Sequence, residues 1–460
     1  MKKPVFLVIV STFLLMLGQN LNIWNAAPKI RFDKGLLANG DGFFIGKIAV
    51  SEQEGLFKNI GAVAQVLPGK ELTDEEELAY RRSFLTSYSR DAYINKTKIK
   101  EIQYYNSKTA IHSFFYNLGN YLFKPDPATY LKFLVLQKTL LFSLILSLVI
   151  LWTVEVTNIF TGILLLLSFM FSPIMTLIAR TLYFAPFTFY VPFLTACYFL
   201  HLDYKQISIF KTKHYFYIGL AFLFHMCFHT FEYISTMGIA SITPFIFYGL
   251  LKQDSTELFQ RTFRAGCSYF AAITIGVLLL LVQYKTLNQT AISEGSDHIL
   301  HKVQQRAIGI KIDQIAIDTA ETGRKRQVLM VKQKAQQASY GEVIKIFFND
   351  TAIGQFEKNQ LKYRTRYSGF MYLFGISGLI LSMMLFFKKN KDSSKIISLL
   401  LSCLFSFLAP LSWWVIFKPH SYHHAHFVVF AWMLPFTIFG FMIVGYAIEQ
   451  IIHNIKKITN

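Results

Sequence analysis

Apolar runs of about 20 residues, almost free of charge, recur along this chain and constrain its fold more than any other feature. As a helix, such a run closes its backbone hydrogen bonds internally, and at about 1.5 Å per residue it crosses a bilayer core about 30 Å thick. About ten runs of this kind are present: Val5–Leu21, Leu131–Trp152, Asn158–Ile178, Leu182–His201, Tyr215–Phe231, Ile234–Leu251, Gly266–Tyr284, Ser368–Phe387, Ile396–Phe417 and Phe427–Ile448. Charged residues make up 16% of the 460 positions and hydrophobic ones 53%, too little charge for a water-covered surface. The expected fold is an all-α integral membrane protein. Two long polar segments then divide it into a first transmembrane helix (1–21), a first loop (22–130), helices two to seven (131–284), a second loop (285–367), and helices eight to ten with a short tail (368–460).

The formal net charge of +19 suggests a nucleic-acid partner in a soluble protein, but its distribution points elsewhere. With a cytoplasmic amino terminus, Lys2, Lys3, Lys205, Lys211, Lys213, Lys252, Arg261, Arg264, Lys388, Lys389, Lys391, Lys395, Lys456 and Lys457 all fall in inner connections. The short outer connections carry little beyond Arg180 and Lys418, which is the positive-inside pattern. Both long loops are thereby expected outside, and no nucleic-acid partner is expected. Met1–Gly18 has the basic start and apolar centre of a secretory leader, yet no small-x-small site follows it, so the first helix is expected to be retained. Cys197, Cys227, Cys267 and Cys403 lie within the apolar runs without metal-ligand or disulfide spacing, as small packing residues do.

Several polar residues depart from this apolar plan. In Asn39-Gly40-Asp41-Gly42, two glycines flank a carboxylate that can act as a general base or help hold a divalent cation. Asp33 lies eight residues earlier; the same composition also suits a surface turn. Lys108 and His112 share one helical face and can meet phosphate oxygens, although Tyr104–Phe115 also suits an amphipathic helix at the membrane surface. In Lys418-Pro419-His420-Ser421-Tyr422-His423-His424-Ala425-His426, four imidazoles fall within seven residues. Such a group can bind metal, hold phosphate or move protons, or form a polar interfacial loop beside Trp413, Trp414 and Trp432. Arg180 and Glu232 close the third and fifth runs on one side, and His225 and His229 precede Glu232 at helical spacing. A single topology places all of these groups outside, although other residues set the orientation. That coincidence points to an outward-facing cavity lined by acids, bases and cations.

With these residues in place, the arrangement resembles the GT-C superfamily of multi-span glycosyltransferases, which use polyprenyl-phosphate sugar donors. Asn39-Gly40-Asp41-Gly42-Phe43-Phe44, followed by Glu52-Gln53-Glu54-Gly55-Leu56, is similar to the acidic motif of that family's first outer loop and its Glu-Gly turn. The resemblance covers the whole chain as architecture and a small part of it as motif. It implies a GT-C-like fold and the membrane lipid, a polyprenyl-phosphate-linked sugar donor and an unidentified acceptor as partners. Asp41 would be the catalytic base with Asp33 second, and His420 or His423 would supply a hydrogen bond or proton. Arg180, Lys108, His112 and Lys418 would meet the donor phosphate, while Glu232, His229, His424 and His426 would complete the polar lining. One departure concerns the segment after the third helix, where the family often carries an acidic pair and this chain has Arg180-Thr181-Leu182-Tyr183. That departure removes the usual acidic ligands, so no cofactor is assigned; a divalent cation is the one considered, and its ligands stay open. Three alternatives remain: a multi-span transporter or flippase, a membrane acyltransferase whose base is one of the His420–His426 group, and a histidine-bound metal enzyme. The expected location is the plasma membrane of a bacterium, with the amino terminus in the cytoplasm.

Overall fold

The computed structural model describes residues 3–34, 38–56, 63–68, 86–105, 109–229, 233–288, 292–307, 330, 333–357, 359–387, 393–423 and 433–459. The chain opens with α1 (Lys3–Leu21), which leads into a polar unit of α2 (Lys29–Lys34), α3 (Ala38–Glu54), β1 (Val63–Pro68), α4 (Thr86–Ile94), β2 (Ile99–Tyr105) and α5 (His112–Phe123). Next come α6 (Pro127–Val156), α7 (Ile159–Met170), α8 (Pro173–Ile178), α9 (Phe187–Tyr204), α10 (Thr212–His229), α11 (Ile234–Lys252) and α12 (Ser255–Asn288). A second polar unit holds α13 (Ile292–Ala307), α14 (Tyr340–Asn349), β3 (Thr351–Glu357) and β4 (Gln360–Arg366). The chain closes with α15 (Tyr367–Phe387), α16 (Ser393–Ile416), α17 (Lys418–His423) and α18 (Ile438–Thr459), the last entered through Met433–Thr437.

Seven helices among the described residues are long and apolar enough to cross a membrane: Lys3–Leu21, Pro127–Val156, Ile234–Lys252, Ser255–Thr286, Tyr367–Phe386, Ser393–Ile416 and Met433–Lys457. Each coincides with a run expected from the sequence. The three other runs take different forms. Asn158–Ile178 is two helices and not one, because Ser172 stops α7 and its hydroxyl caps α8 by accepting from the Met175 N–H at 3.4 Å, with Pro173 at the first helical position. The 12 residues of α7 extend about 18 Å, roughly half of what a bilayer core requires. The other two runs correspond to α9 and α10, each of 18 residues.

The membrane helices pack through aromatic side chains. Trp152 of α6 meets Phe193 of α9, Phe247 of α11 and Phe439 of α18 edge-on, at 5.5, 6.4 and 6.0 Å between ring centres. Phe6, Phe13, Phe270, Tyr372, Phe386 and Leu404 point outward and give the bundle an apolar exterior suited to lipid. Polar contacts gather at the two ends. At one end Asp203 accepts from Lys252 at 2.6 Å and Arg261 at 2.7 Å, and Asn158 donates to Glu449 at 2.9 Å. At the other end stand both polar units. The antiparallel hairpin β3–β4 is tied down there by Gly354 N–H donating to the Phe171 carbonyl at 2.9 Å and Phe356 N–H to the Asn25 carbonyl at 2.8 Å.

The first polar unit has a core of its own. Phe44, Ile48, Ala49 and Val50 of α3 are fully buried against Val66 of β1, Tyr93 of α4, Tyr116 of α5 and Leu134 of α6. Burying several such side chains, each contributing about 1.5–3 kcal/mol, holds α3 on the end of the bundle. That anchoring fixes where Asp41 lies.

Candidate functional site

Asp41 occupies the first turn of α3, where the helix dipole favours a negative charge. Gly40 precedes it because no side chain fits there: a Cβ would fall 2.8 Å from the Tyr183 ring. The close approach sets Asp41 against the connection between α8 and α9. Its Oδ1 accepts from the Thr181 hydroxyl at 2.5 Å and from the Tyr183 N–H at 2.9 Å. Burial pushes the Asp41 carboxyl up to about 6, even though Thr181, the positive charge of Lys138 and the Tyr183 and Leu182 amides all pull the other way. A carboxyl balanced in this way changes protonation near neutral pH, as a general base requires.

The connection that receives Asp41 is gripped from three further sides. Lys138, fully buried within α6, donates from Nζ to the carbonyls of Thr181 and Phe184. His229, at the end of α10, meets the Ala185 carbonyl at 3.3 Å, and since a carbonyl only accepts, Nε2 carries the proton. Arg180 donates to the Asn20 carbonyl at 3.3 Å and lies 3.8 Å over the Phe32 ring, within reach of the Asp33 charge. His112 is sandwiched between Phe44 at 4.4 Å and Phe228 at 5.1 Å, with Tyr116 edge-on. It couples the start of α5 to α3 and α10, and the Tyr116 hydroxyl is raised by burial and by the Asp41 charge beside it.

A line of rings leads from this centre to a second polar group. His112 and His229 lie 6.4 Å apart, His229 and Phe189 4.4 Å, Phe189 and Tyr233 5.7 Å, Tyr233 and Trp413 4.4 Å, and Trp413 and His420 5.8 Å. At that corner Lys418 donates to the Ala338 and Gln336 carbonyls at 2.7 and 3.3 Å and stands over the Tyr340 ring. Beside Tyr422 opens a groove of about 660 Å³ lined by Lys334, Lys345 and Asp350. The expected residues thus divide. Asp41 and His229 meet residues 181–185, and His112 stacks beside them between Phe44 and Phe228, whereas Asp33 belongs to α2, Arg180 lies over Phe32 of that same helix, and Lys418 and His420 occupy the α16–α17 corner. Lys108, Glu232, His424 and His426 lie outside the described residues, as does the side chain of His423. Among the described residues, no group of three or more His, Cys, Asp or Glu side chains is placed to hold a metal ion.

Three participants were not singled out from the sequence: Lys138, Thr181 and Tyr183. For Lys138 a signal existed, since a lysine inside an otherwise apolar run is costly unless it has partners. Thr181 and Tyr183 carried none, because they meet Asp41 from about 140 residues away.

No protein-family model matches the sequence, and no curated protein sequence does either. Among solved structures, the chain is similar over 98% of its length to the crystal structure of the Archaeoglobus fulgidus oligosaccharyltransferase in the apo form, with 11% identity and a TM-score of 0.44. It spans about half of that chain, 51%. A likeness of that degree assigns neither fold nor activity. Fold and site together define a multi-helix membrane protein with a carboxyl, Asp41, raised by its surroundings at an end of the bundle.

Proposed function

We propose that the protein is a membrane glycosyltransferase that moves a sugar from a polyprenyl-phosphate donor to an acceptor hydroxyl on the extracytoplasmic face. The observation that carries this reading is the Asp41 carboxyl, enclosed at the end of an apolar bundle and pushed up to about 6. The similarity of Asn39–Phe44 to the GT-C acidic motif supports the same assignment. In the reaction, ionised Asp41 takes the proton of the acceptor hydroxyl as its oxygen bonds to the anomeric carbon. The bond from that carbon to the phosphate oxygen breaks, and its electron pair leaves on the polyprenyl phosphate. The resemblance to the GT-C family assigns neutralisation of the departing anion to Arg180, whose guanidinium must then leave the Asn20 carbonyl and the Phe32 ring. The surrounding helices offer the lipid tail an apolar bed, which gives a reaction at the water boundary its reason to be housed in a membrane protein.

Asp41→Asn tests the assignment, because it keeps the shape and a hydrogen-bond acceptor but cannot take up the proton. With reconstituted protein and polyprenyl-phosphate-linked sugars, release of polyprenyl phosphate is expected to fall about 10²–10⁴-fold while donor binding persists. Wild-type turnover by the variant would remove Asp41 as base. Movement of intact donor across liposomes without cleavage would favour a transporter.

A further inference from the structure

The far end of α3, about 16 Å along the helix from Asp41, borders a separate groove. It has a volume of about 780 Å³ and is lined by Glu52, Lys96, Lys98, Asn120, Tyr121 and Lys124. Its floor is a hydrogen-bonded chain: Lys96 pairs with Glu52, Glu52 accepts from the Asn120 amide at 2.9 Å, and the Asn120 carbonyl accepts from the Tyr93 hydroxyl at 2.5 Å. Three lysines face one carboxylate, so the groove carries net positive charge. Two of those lysines stand where glycine or asparagine is the usual residue: φ is +54° at Lys96 and +41° at Lys124, which ends α5 in the left-handed conformation. A lysine held in that conformation is a reason to look for a ligand.

The helix beside the groove says what kind. In α5 the buried face is polar, comprising His112, Ser113, Asn117 and Asn120 with Tyr116, and the exposed face is apolar. Phe115, Leu122 and Phe123 are 54%, 62% and 79% exposed. In water this inversion is costly; against lipid it is the stable arrangement. The apolar face ends at the groove, and after three residues the chain enters the membrane helix α6, whose exposed Phe133 and Leu136 continue the apolar surface.

We infer that this groove binds the phosphate of an anionic membrane lipid, with Lys96, Lys98 and Lys124 around the headgroup and the acyl chains lying along Tyr121, Leu122 and Phe123. The site is independent of the activity proposed for Asp41. α5 rests on the membrane surface, and the lysines meet the lipid phosphate as it arrives there.

The test uses the purified full-length chain, titrated with dioctanoyl-phosphatidylglycerol or dioctanoyl-phosphatidylcholine and followed by native mass spectrometry. One phosphatidylglycerol is expected to bind in preference to phosphatidylcholine. Lys98→Gln/Lys124→Gln is expected to weaken it about 30-fold, from roughly fivefold per lysine near a membrane surface. The corresponding double arginine variant is expected to stay within about threefold of wild type, and Phe123→Ser to weaken the lipid without changing its preference for negative charge. Both lysines are exposed, so the melting temperature is expected to be unchanged, and the arginine variant separates lost charge from lost structure. Equal binding by wild type and the glutamine variant would overturn the inference. So would equal affinity for the two lipids, or displacement of phosphatidylglycerol by inorganic phosphate at comparable concentration, which would mark a site for free phosphate.

Discussion

Asp41 illustrates how a side chain acquires reactivity from where the backbone leaves it. On a surface turn it would stay ionised; here burial raises it to about 6 while Thr181, Tyr183 and Lys138 keep it from rising further. Two expectations follow. Transfer should rise with pH through about 6, because only the ionised carboxylate accepts a proton, and a pH–rate profile of the reconstituted protein checks this. For stability the sign is opposite: a carboxyl raised above its unfolded value of 3.8 contributes most below that pH, and the contribution is lost as pH rises through about 6. Asp41→Asn should therefore melt no lower than wild type at pH 8. Gly40 adds a steric prediction. Gly40→Ala places a methyl group 2.8 Å from the Tyr183 ring, so α3 must shift away from the 181–185 connection. A loss of activity of about 10²-fold, with expression retained, is the expected measurement, since displacement near 1 Å at a reacting group has that effect.

At the scale of elements, one short connection is the meeting point of α3, α6 and α10. Lys138 ties α6 to it by donating to two carbonyls, and its positive charge bears on Asp41. Lys138→Met removes the donor and leaves both carbonyls and the carboxylate without it. A destabilisation of about 2–4 kcal/mol is expected by thermal or denaturant unfolding, together with an Asp41 pKa displaced further upward in the pH–rate profile. The break between α7 and α8 shows local chemistry overriding length. The run 158–178 is apolar enough for one helix, yet Ser172-Pro173 supplies a cap and a first-turn proline, and the chain starts a new helix there. That signal was present in the residues and was outweighed by the hydropathy.

Orientation belongs to the whole molecule. In the structure both polar units lie at the Asp41 end, and Asp203, Lys252 and Arg261 lie at the opposite end. If positive charge marks the cytoplasmic side, single cysteines in a cysteine-free background report it. Gln360→Cys in β4 should react with a membrane-impermeant maleimide in intact cells, and Ser208→Cys beyond α9 only after permeabilisation; both positions are exposed. The reverse pattern would place Asp41 in the cytoplasm and end the extracytoplasmic proposal.

The membrane class was legible in the residues themselves, as were seven long helices among the ten runs expected and the glycine-flanked Asp41 as a candidate. Apolar length, charge placement and a glycine-flanked carboxylate are properties of adjacent positions, and adjacent positions are what a sequence states directly. The environment of Asp41 was not legible, because Thr181, Tyr183 and Lys138 reach it only after α3, α6 and the α8–α9 connection pack together. Lys138 meets carbonyls 43 and 46 residues on, and Asp41 meets a hydroxyl 140 residues away. The inverted face of α5 is of the same kind: its residues suggest an interfacial helix, but only the packing of its polar side onto α3, α6 and α10 decided which side is left exposed. Hydrophobic burial chooses those partners across the chain, and side-chain geometry then sets each charge, so the tertiary structure alone determined what these groups can do.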